Sequence, residues 1–412
     1  MRPGQAIRRP VLSLLTVLLS TCIAHAAHGP PPDPRQGDGG VSPFYTWTGE
    51  IPDAPGRMLR TEPLDPRLGL SMAGEQVRIL YSSTDGMDGR TPVVVSGAYF
   101  APKGQPPAGG WPIVAWAHGT TGIADVCAPS WTPRSERDSS YLNAWLQQGY
   151  AIVATDYQGL GTPGPHPYLA VRPEAYSVLD SVRAVLTAVS GVVNRIVIIG
   201  QSQGGGAAFA TAGLAPVYAP ELKIRGSVAT GIPFLGPAVL RPPANPAPAD
   251  KADRTAAYNL YIAIMIQQGD PSKLDNQLVT ERALPVLQEA RSTCVGALFR
   301  EVVRAGLNRG NALRPGYVDA FKAVLPSMQY STVKLSQPLF VGTGDQDHDV
   351  PPANQLALVR NACTAGSVVE AHLYTGLDHG ATVNASLRNS VPFVRKIMAG
   401  EPITPACEPT AE

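Results

Sequence analysis

Beyond its first 20 residues the chain has no apolar run long enough for a helix to cross a bilayer, which excludes a helical membrane protein. Charge is thin. Asp, Glu, Lys and Arg make up 16% of the 412 residues, with 33 basic and 32 acidic side chains, so no basic field is available to hold nucleic acid. No C-x-x-C pair or Cys/His cluster is present, so nothing suggests a zinc site. Glycine and proline fill the space left by charge, 41 of each, as in a loop-rich, moderately apolar protein.

The early apolar run, Val11 to Leu19, follows Arg2, Arg8 and Arg9 and precedes Ala24-His25-Ala26, a small-x-small cleavage signal. Residues 1–26 therefore read as a secretory signal peptide. Leu19-Ser20-Thr21-Cys22 matches a lipoprotein processing box poorly, because Thr precedes the Cys, so cleavage after Ala26 and a secreted or periplasmic destination are expected. Losing this segment leaves 30 basic and 32 acidic side chains, a net charge near −2, on some 386 residues. That length suffices for a large core and an insertion. The remaining cysteines, Cys127, Cys294, Cys363 and Cys407, read as two disulfides in an oxidising compartment. Four cysteines allow three pairings, and spacing does not choose among them.

Residues 27–75 are rich in Pro and Gly and read as an extended arm. Segments 76–83 and 91–100 flank a Gly/Asp turn and predict an antiparallel pair. Apolar runs at 111–117 and 151–155 have the pattern of parallel strands covered on both faces, and helical stretches are expected at 141–148 and 175–189. Strands alternating with helices predict an α/β sheet with helices on both faces. The alternation continues at 224–232, breaks over 234–330, and resumes at 337–342 and 368–374. The interruption opens on Pro-rich residues 241–249 and holds several helices, which predicts a helical cap spliced into a core of 76–233 and 331–412. Helix 253–268 is apolar nearly all round, through Leu260, Tyr261, Ile262, Ile264, Met265 and Ile266, and so has to be buried, either as a plain core helix or as a lid facing a lipid-like ligand.

Ser202 is the centre of Gly200-Gln201-Ser202-Gln203-Gly204, directly after the apolar Ile196-Val197-Ile198-Ile199 and directly before small residues that open a helix. With 24 serines and 41 glycines, chance supplies one G-x-S-x-G in roughly a quarter of such chains, so the context has to carry the assignment. A strand, a sharp turn and a helix in that order form a nucleophile elbow, which lifts the serine oxygen above the sheet. A serine hydroxyl needs an imidazole to take its proton and a carboxylate to orient that imidazole. Downstream, in the order this arrangement demands, stand Asp347 in Gly344-Asp345-Gln346-Asp347-His348-Asp349 and His379 in Gly376-Leu377-Asp378-His379-Gly380, each past a strand end. Asp345 and Asp349 are rivals for the acid. The D-x-D-x-D spacing lacks the glycine and closing glutamate of a calcium loop, so no metal is expected. Two backbone N–H groups should face the oxyanion, those of Gln203 and of Thr120 in His118-Gly119-Thr120-Thr121-Gly122, with Thr121 the alternative to Thr120.

These stretches resemble the secretory lipase family of α/β-hydrolases, the lipase A type. The likeness runs through Ala117-His118-Gly119-Thr120-Thr121-Gly122, Asp125-Val126-Cys127-Ala128-Pro129-Ser130, Thr155-Asp156-Tyr157-Gln158-Gly159, the Ser202 elbow, Tyr218-Ala219-Pro220-Glu221-Leu222 and the Asp347 and His379 turns. It implies the α/β-hydrolase fold with a late helical lid, ester hydrolysis through an acyl-enzyme, and no cofactor. It also implies the pairings Cys127–Cys294 and Cys363–Cys407. The acid turn departs from the family in its extra aspartates and His348.

The expected function is that of a secreted lipase or carboxylesterase acting on a small-molecule ester or lipid, its cap touching a lipid interface transiently. A serine exopeptidase on the same fold, and a non-catalytic binding protein built like a hydrolase, are the alternatives. The exopeptidase would need a polar pocket for a peptide terminus, whereas the apolar helix at 253–268 favours an acyl tail. Acyl length and oligomeric state are not legible.

Overall fold

The computed structural model describes Met1 and residues 28–236 and 251–412. The signal segment with Cys22 and the Pro-rich stretch 241–249 lie outside the described residues. Nine strands form one sheet: β1 (Met58–Pro63), β2 (Ala73–Thr84), β3 (Pro92–Pro102), β4 (Trp111–Ala117), β5 (Ala151–Thr155), β6 (Val192–Gln201), β7 (Ile224–Thr230), β8 (Leu339–Gly344) and β9 (Val369–Tyr374). Their order is β1-β2-β3-β5-β4-β6-β7-β8-β9. The first three strands and β5 pair antiparallel, and β5 to β9 pair parallel. Strand β1 comes from the Pro-rich arm and extends the antiparallel edge.

The helices are α1 (Glu136–Gln147), α2 (Val171–Ala188), α3 (Gln203–Tyr218), α4 (Ala256–Gly269), α5 (Asp275–Leu278), α6 (Leu284–Ala290), α7 (Val295–Arg304), α8 (Arg309–Ala312), α9 (Gly316–Val324), α10 (Pro352–Thr364), α11 (Ala381–Ala385) and α12 (Leu387–Ala399). Side chains alternate across a strand, and the consecutive apolar residues 113–117 of β4 and 196–199 of β6 therefore serve two cores. Ile113, Ala115, Ile196 and Ile198 pack beneath α2 and α3. Val114, Trp116, Val197 and Ile199 pack beneath α1 and α12, against Tyr141, Trp145, Val394 and Ile397.

Between β7 and β8 the chain leaves the sheet and builds α4–α9 around a core of its own. In α4, Leu260, Tyr261, Ile264, Met265 and Ile266 are all at most 2% exposed, and each large aliphatic side chain so buried stabilises this cluster by roughly 1.5–3 kcal/mol. Disulfides join Cys127 to Cys294 and Cys363 to Cys407. Among the described residues no helix is long and apolar enough to cross a membrane.

Candidate active site

Strand β6 ends at Gln201 and α3 begins at Gln203, leaving Ser202 alone at the turn with φ 58° and ψ −123°. A non-glycine residue in that region is strained by about 1–3 kcal/mol, and such strain persists only where the surroundings enforce it. Here they do. A Cβ on Gly200 would stand 1.9 Å from the Gly204 carbonyl oxygen, and a Cβ on Gly204 would stand 1.9 Å from that of Ala117. The turn can be this tight only because both positions lack side chains. The Ser202 N–H is taken by the Thr230 carbonyl at 2.9 Å, whereas Gln203 opens the helix, where the first N–H has no intrahelical acceptor.

The three aspartates of the turn after β8 have three different partners. Asp347, 3% exposed, meets His379 Nδ1 through Oδ2 at 2.7 Å and accepts from Gln355 Nε2 at 2.9 Å through the same oxygen. Its Oδ1 accepts from the backbone of Asp349 and Val350 at 3.0 and 2.8 Å. Asp345 accepts from Gly376 N at 2.7 Å and braces the turn after β9. Asp349 pairs with Arg254 at 2.5 Å and accepts from Tyr258 at 2.7 Å, tying the α4 end of the helical insertion to the sheet.

His379 and Ser202 line one cavity of about 580 Å³ together with Thr120 and Thr121. No hydrogen bond joins Ser202 Oγ to the imidazole. His379 Nε2 is instead met by Gln201 Nε2 at 2.9 Å. Arg137 donates to Gln201 Oε1 at 3.1 Å, so the nitrogen end of the amide has to face the ring. His379 Nε2 therefore holds a lone pair and Nδ1–H donates to Asp347. Gly119 gives this amide room, since a Cβ there would lie 2.3 Å from Gln201 Oε1.

The loop after β4 carries Thr120 at the cavity, and its Oγ1 lies 2.8 Å from Tyr168 Oη. The neighbouring Thr121 carbonyl accepts from Val295 N at 2.7 Å, beside the Cys127–Cys294 bond, so the loop is fastened to α7. Behind Gln203 its side chain donates to Glu174 at 2.8 Å and approaches His166 Nε2 at 3.1 Å. Burial pushes the Glu174 carboxyl up to about 8 and the His166 imidazole down to about 4.

The packing of the apolar helix does not support the inference from it to an acyl tail. Helix α4 does not offer its apolar girth to the ligand. Its large apolar side chains fill the core of the insertion, and Tyr258 alone among its residues lines the cavity, beside Arg254 and Phe299. The cavity wall also carries Arg137, Asp138 and Asp378. A helix apolar on every side satisfies the burial rule equally well within its own cluster, and periodicity does not reveal against what it packs. Sequence reasoning also missed Gln201, Arg137, Gln355, Glu174 and Tyr168, which reach the site across long separations with no spacing signature. His166, whose Nε2 lies 3.1 Å from the Gln203 amide, likewise has no signature in the sequence.

Residues 127–235 match the secretory lipase family. Lipase 7 of Candida albicans is 31% identical over 112 residues, 24% of this chain and 25% of its own length, so the match spans about a quarter of that relative. Among solved structures, Candida antarctica lipase A in its closed state superposes with a TM-score of 0.71 at 19% identity, over 90% of this chain and 89% of that one. The rice cell wall degrading esterase LipA from Xanthomonas oryzae superposes with a TM-score of 0.65 at 18% identity, over 83% and 98%. At such identities the superpositions establish the fold. The chain has the α/β-hydrolase fold and resembles the secretory lipase family, with the likeness in sequence resting on residues 127–235.

Proposed function

We propose that the chain is an exported serine ester hydrolase, a lipase or carboxylesterase, with Ser202 as nucleophile, His379 as base and then acid, Asp347 as the carboxylate that orients it, and the N–H groups of Thr120 and Gln203 on the oxyanion. The observation that carries this reading is the 2.7 Å contact of His379 Nδ1 with Asp347, made beside a serine held at a strained turn. The names of the relatives, lipase and esterase, support it.

On substrate binding, Ser202 Oγ takes the place of the Gln201 amide at His379 Nε2. Its proton passes to that nitrogen as Oγ bonds to the carbonyl carbon, and the carbonyl electron pair moves onto oxygen, facing the two N–H groups. Collapse breaks the bond to the leaving alcohol, and His379 returns the proton to that oxygen. Water repeats the sequence on the acyl-enzyme, releasing the acid and restoring Ser202. Export through residues 1–26, two disulfides, an arm at 27–75 and a cap at 234–330 that lies over the site and meets a lipid surface belong to the same proposal.

Replacing Ser202 with Ala should lower turnover of p-nitrophenyl acetate by roughly 10⁴-fold or more while leaving the melting point unchanged. A fluorophosphonate should label Ser202 and nothing else. An S202A variant with full activity would sink the proposal. A serine exopeptidase is the second reading, favoured by the charged cavity wall of Arg137, Asp138 and Asp378, and paired ester and peptide assays separate the two.

A further inference from the structure

Both backbone donors proposed for the oxyanion are held from one segment, residues 166–174, for which the chemistry above has no other use. Tyr168 Oη lies 2.8 Å from Thr120 Oγ1. The Gln203 amide nitrogen donates to Glu174 Oε1 at 2.8 Å and lies 3.1 Å from His166 Nε2. His166 Nδ1 faces the Gln158 carbonyl at 2.8 Å, so Nδ1 carries the proton and Nε2 accepts from Gln203. His166, Tyr168 and Glu174 are 1%, 2% and 2% exposed, and none of them lines the cavity. Within the segment Leu169 is a non-glycine residue at φ 61°. A buried carboxyl is costly unless it is hydrogen-bonded, and an apolar side chain would fill the space at lower cost. Its hydrogen bond goes to the side chain of the residue whose N–H is to meet the oxyanion.

We infer that residues 166–174 brace the oxyanion hole from behind, Tyr168 fixing Thr120, and Glu174 with His166 fixing Gln203. These are positioning residues, acting through the two donors. The inference rests on the ester-hydrolase reading. Such donors stabilise a transition state only when they are already aimed at the point where charge develops, and one donor is worth about 10²–10³ in turnover. Loosening one should forfeit part of that.

Two variants test the brace with little change in packing. Tyr168→Phe removes one hydroxyl, and Gln203→Met removes the tether while leaving the backbone N–H in place. With p-nitrophenyl acetate, kcat should fall about tenfold in each and about a hundredfold in the double variant, with KM within about twofold of wild type. The rate of fluorophosphonate labelling should fall in parallel, because the phosphoryl oxygen occupies the same hole. Glu174→Gln should retain more kcat than Glu174→Ala. Should the alanine variant fail to fold, Gln203→Met still probes the same tether from the other side. Full kcat in folded Y168F and Q203M, or losses that follow KM alone, would overturn the brace. A wild type that is neither labelled nor active sinks the ester-hydrolase reading and the brace with it. A labelled, active wild type beside full-strength variants sinks the brace alone.

Discussion

The side-chain amide of Gln201 donates to His379 Nε2 at 2.9 Å, the nitrogen proposed to receive the proton of Ser202. The proposed base is thus occupied by the residue preceding the proposed nucleophile, and Arg137 fixes which end of that amide it meets. An N–H donor at this point favours the ring with a free lone pair, which is the form that accepts a proton.

Exchanging the donor for an acceptor reverses that preference. In Gln201→Glu a carboxylate would face His379 and favour the imidazolium, in which the lone pair is already used. At pH 7 the rate should fall by roughly tenfold, and the acidic limb of kcat/KM should move to higher pH. A pH–rate profile of wild type and variant checks this. An unmoved limb would mean that Gln201 does not act on the base.

The three neighbouring aspartates should separate by effect. Asp347→Asn should lower kcat by roughly 10³–10⁴-fold, because the ring loses the partner that fixes its tautomer. Asp345→Asn, which touches only the Gly376 N–H on an exposed turn, should stay within about twofold. Asp349→Asn loses the Arg254 ion pair and should raise KM more than it lowers kcat. Equal losses of kcat in the Asp345 and Asp347 variants would remove the assignment of the acid.

Stability should decline on the alkaline side of neutrality. Burial raises Glu174 from 4.5 to about 8, so between these values the folded chain holds a proton that the unfolded chain has lost, and stability falls as pH rises. Burial lowers His166 from 6.5 to about 4, so its contribution grows over that interval as pH rises. The two offset each other from about 4.5 to 6.5, and above 6.5 His166 no longer opposes the Glu174 contribution. Asp125, raised by burial to about 7, adds in the same direction up to that pH. Melting points from pH 6 to 9 should fall in wild type and fall less in Glu174→Gln. A wild-type curve no steeper than the variant's would contradict the assignment.

The sequence carried the framework well, because its signals are local. Continuous apolar runs at 111–117 and 151–155 predicted strands covered on both faces, and the two cores they serve are there. The turns of Asp347 and His379 could be read from their places after strands, and the amides of Gln355 and Gln201 that they recruit could not. Asp345 and Asp347 differ by a register of two residues within one turn, and only the turn's geometry decides which carboxylate meets the ring. Glu174 and Gln203 lie 29 residues apart in a helix and an elbow with no common motif. The apolar girth of α4 was legible, but the surface it packs against was not. The cysteine pairing came from resemblance alone, since the intervals between cysteines say nothing about which ones meet.

The Cys127–Cys294 bond joins the loop bearing Thr120 to the first residue of α7's approach, and the Val295–Thr121 hydrogen bond lies beside it. The helical insertion also meets the turn after β8, where Arg254 and Tyr258 contact Asp349. The first of these ties is covalent and the second ionic. Reduction would open the one and added salt would weaken the other, so the contacts of the insertion beside Ser202 answer to two different solution conditions.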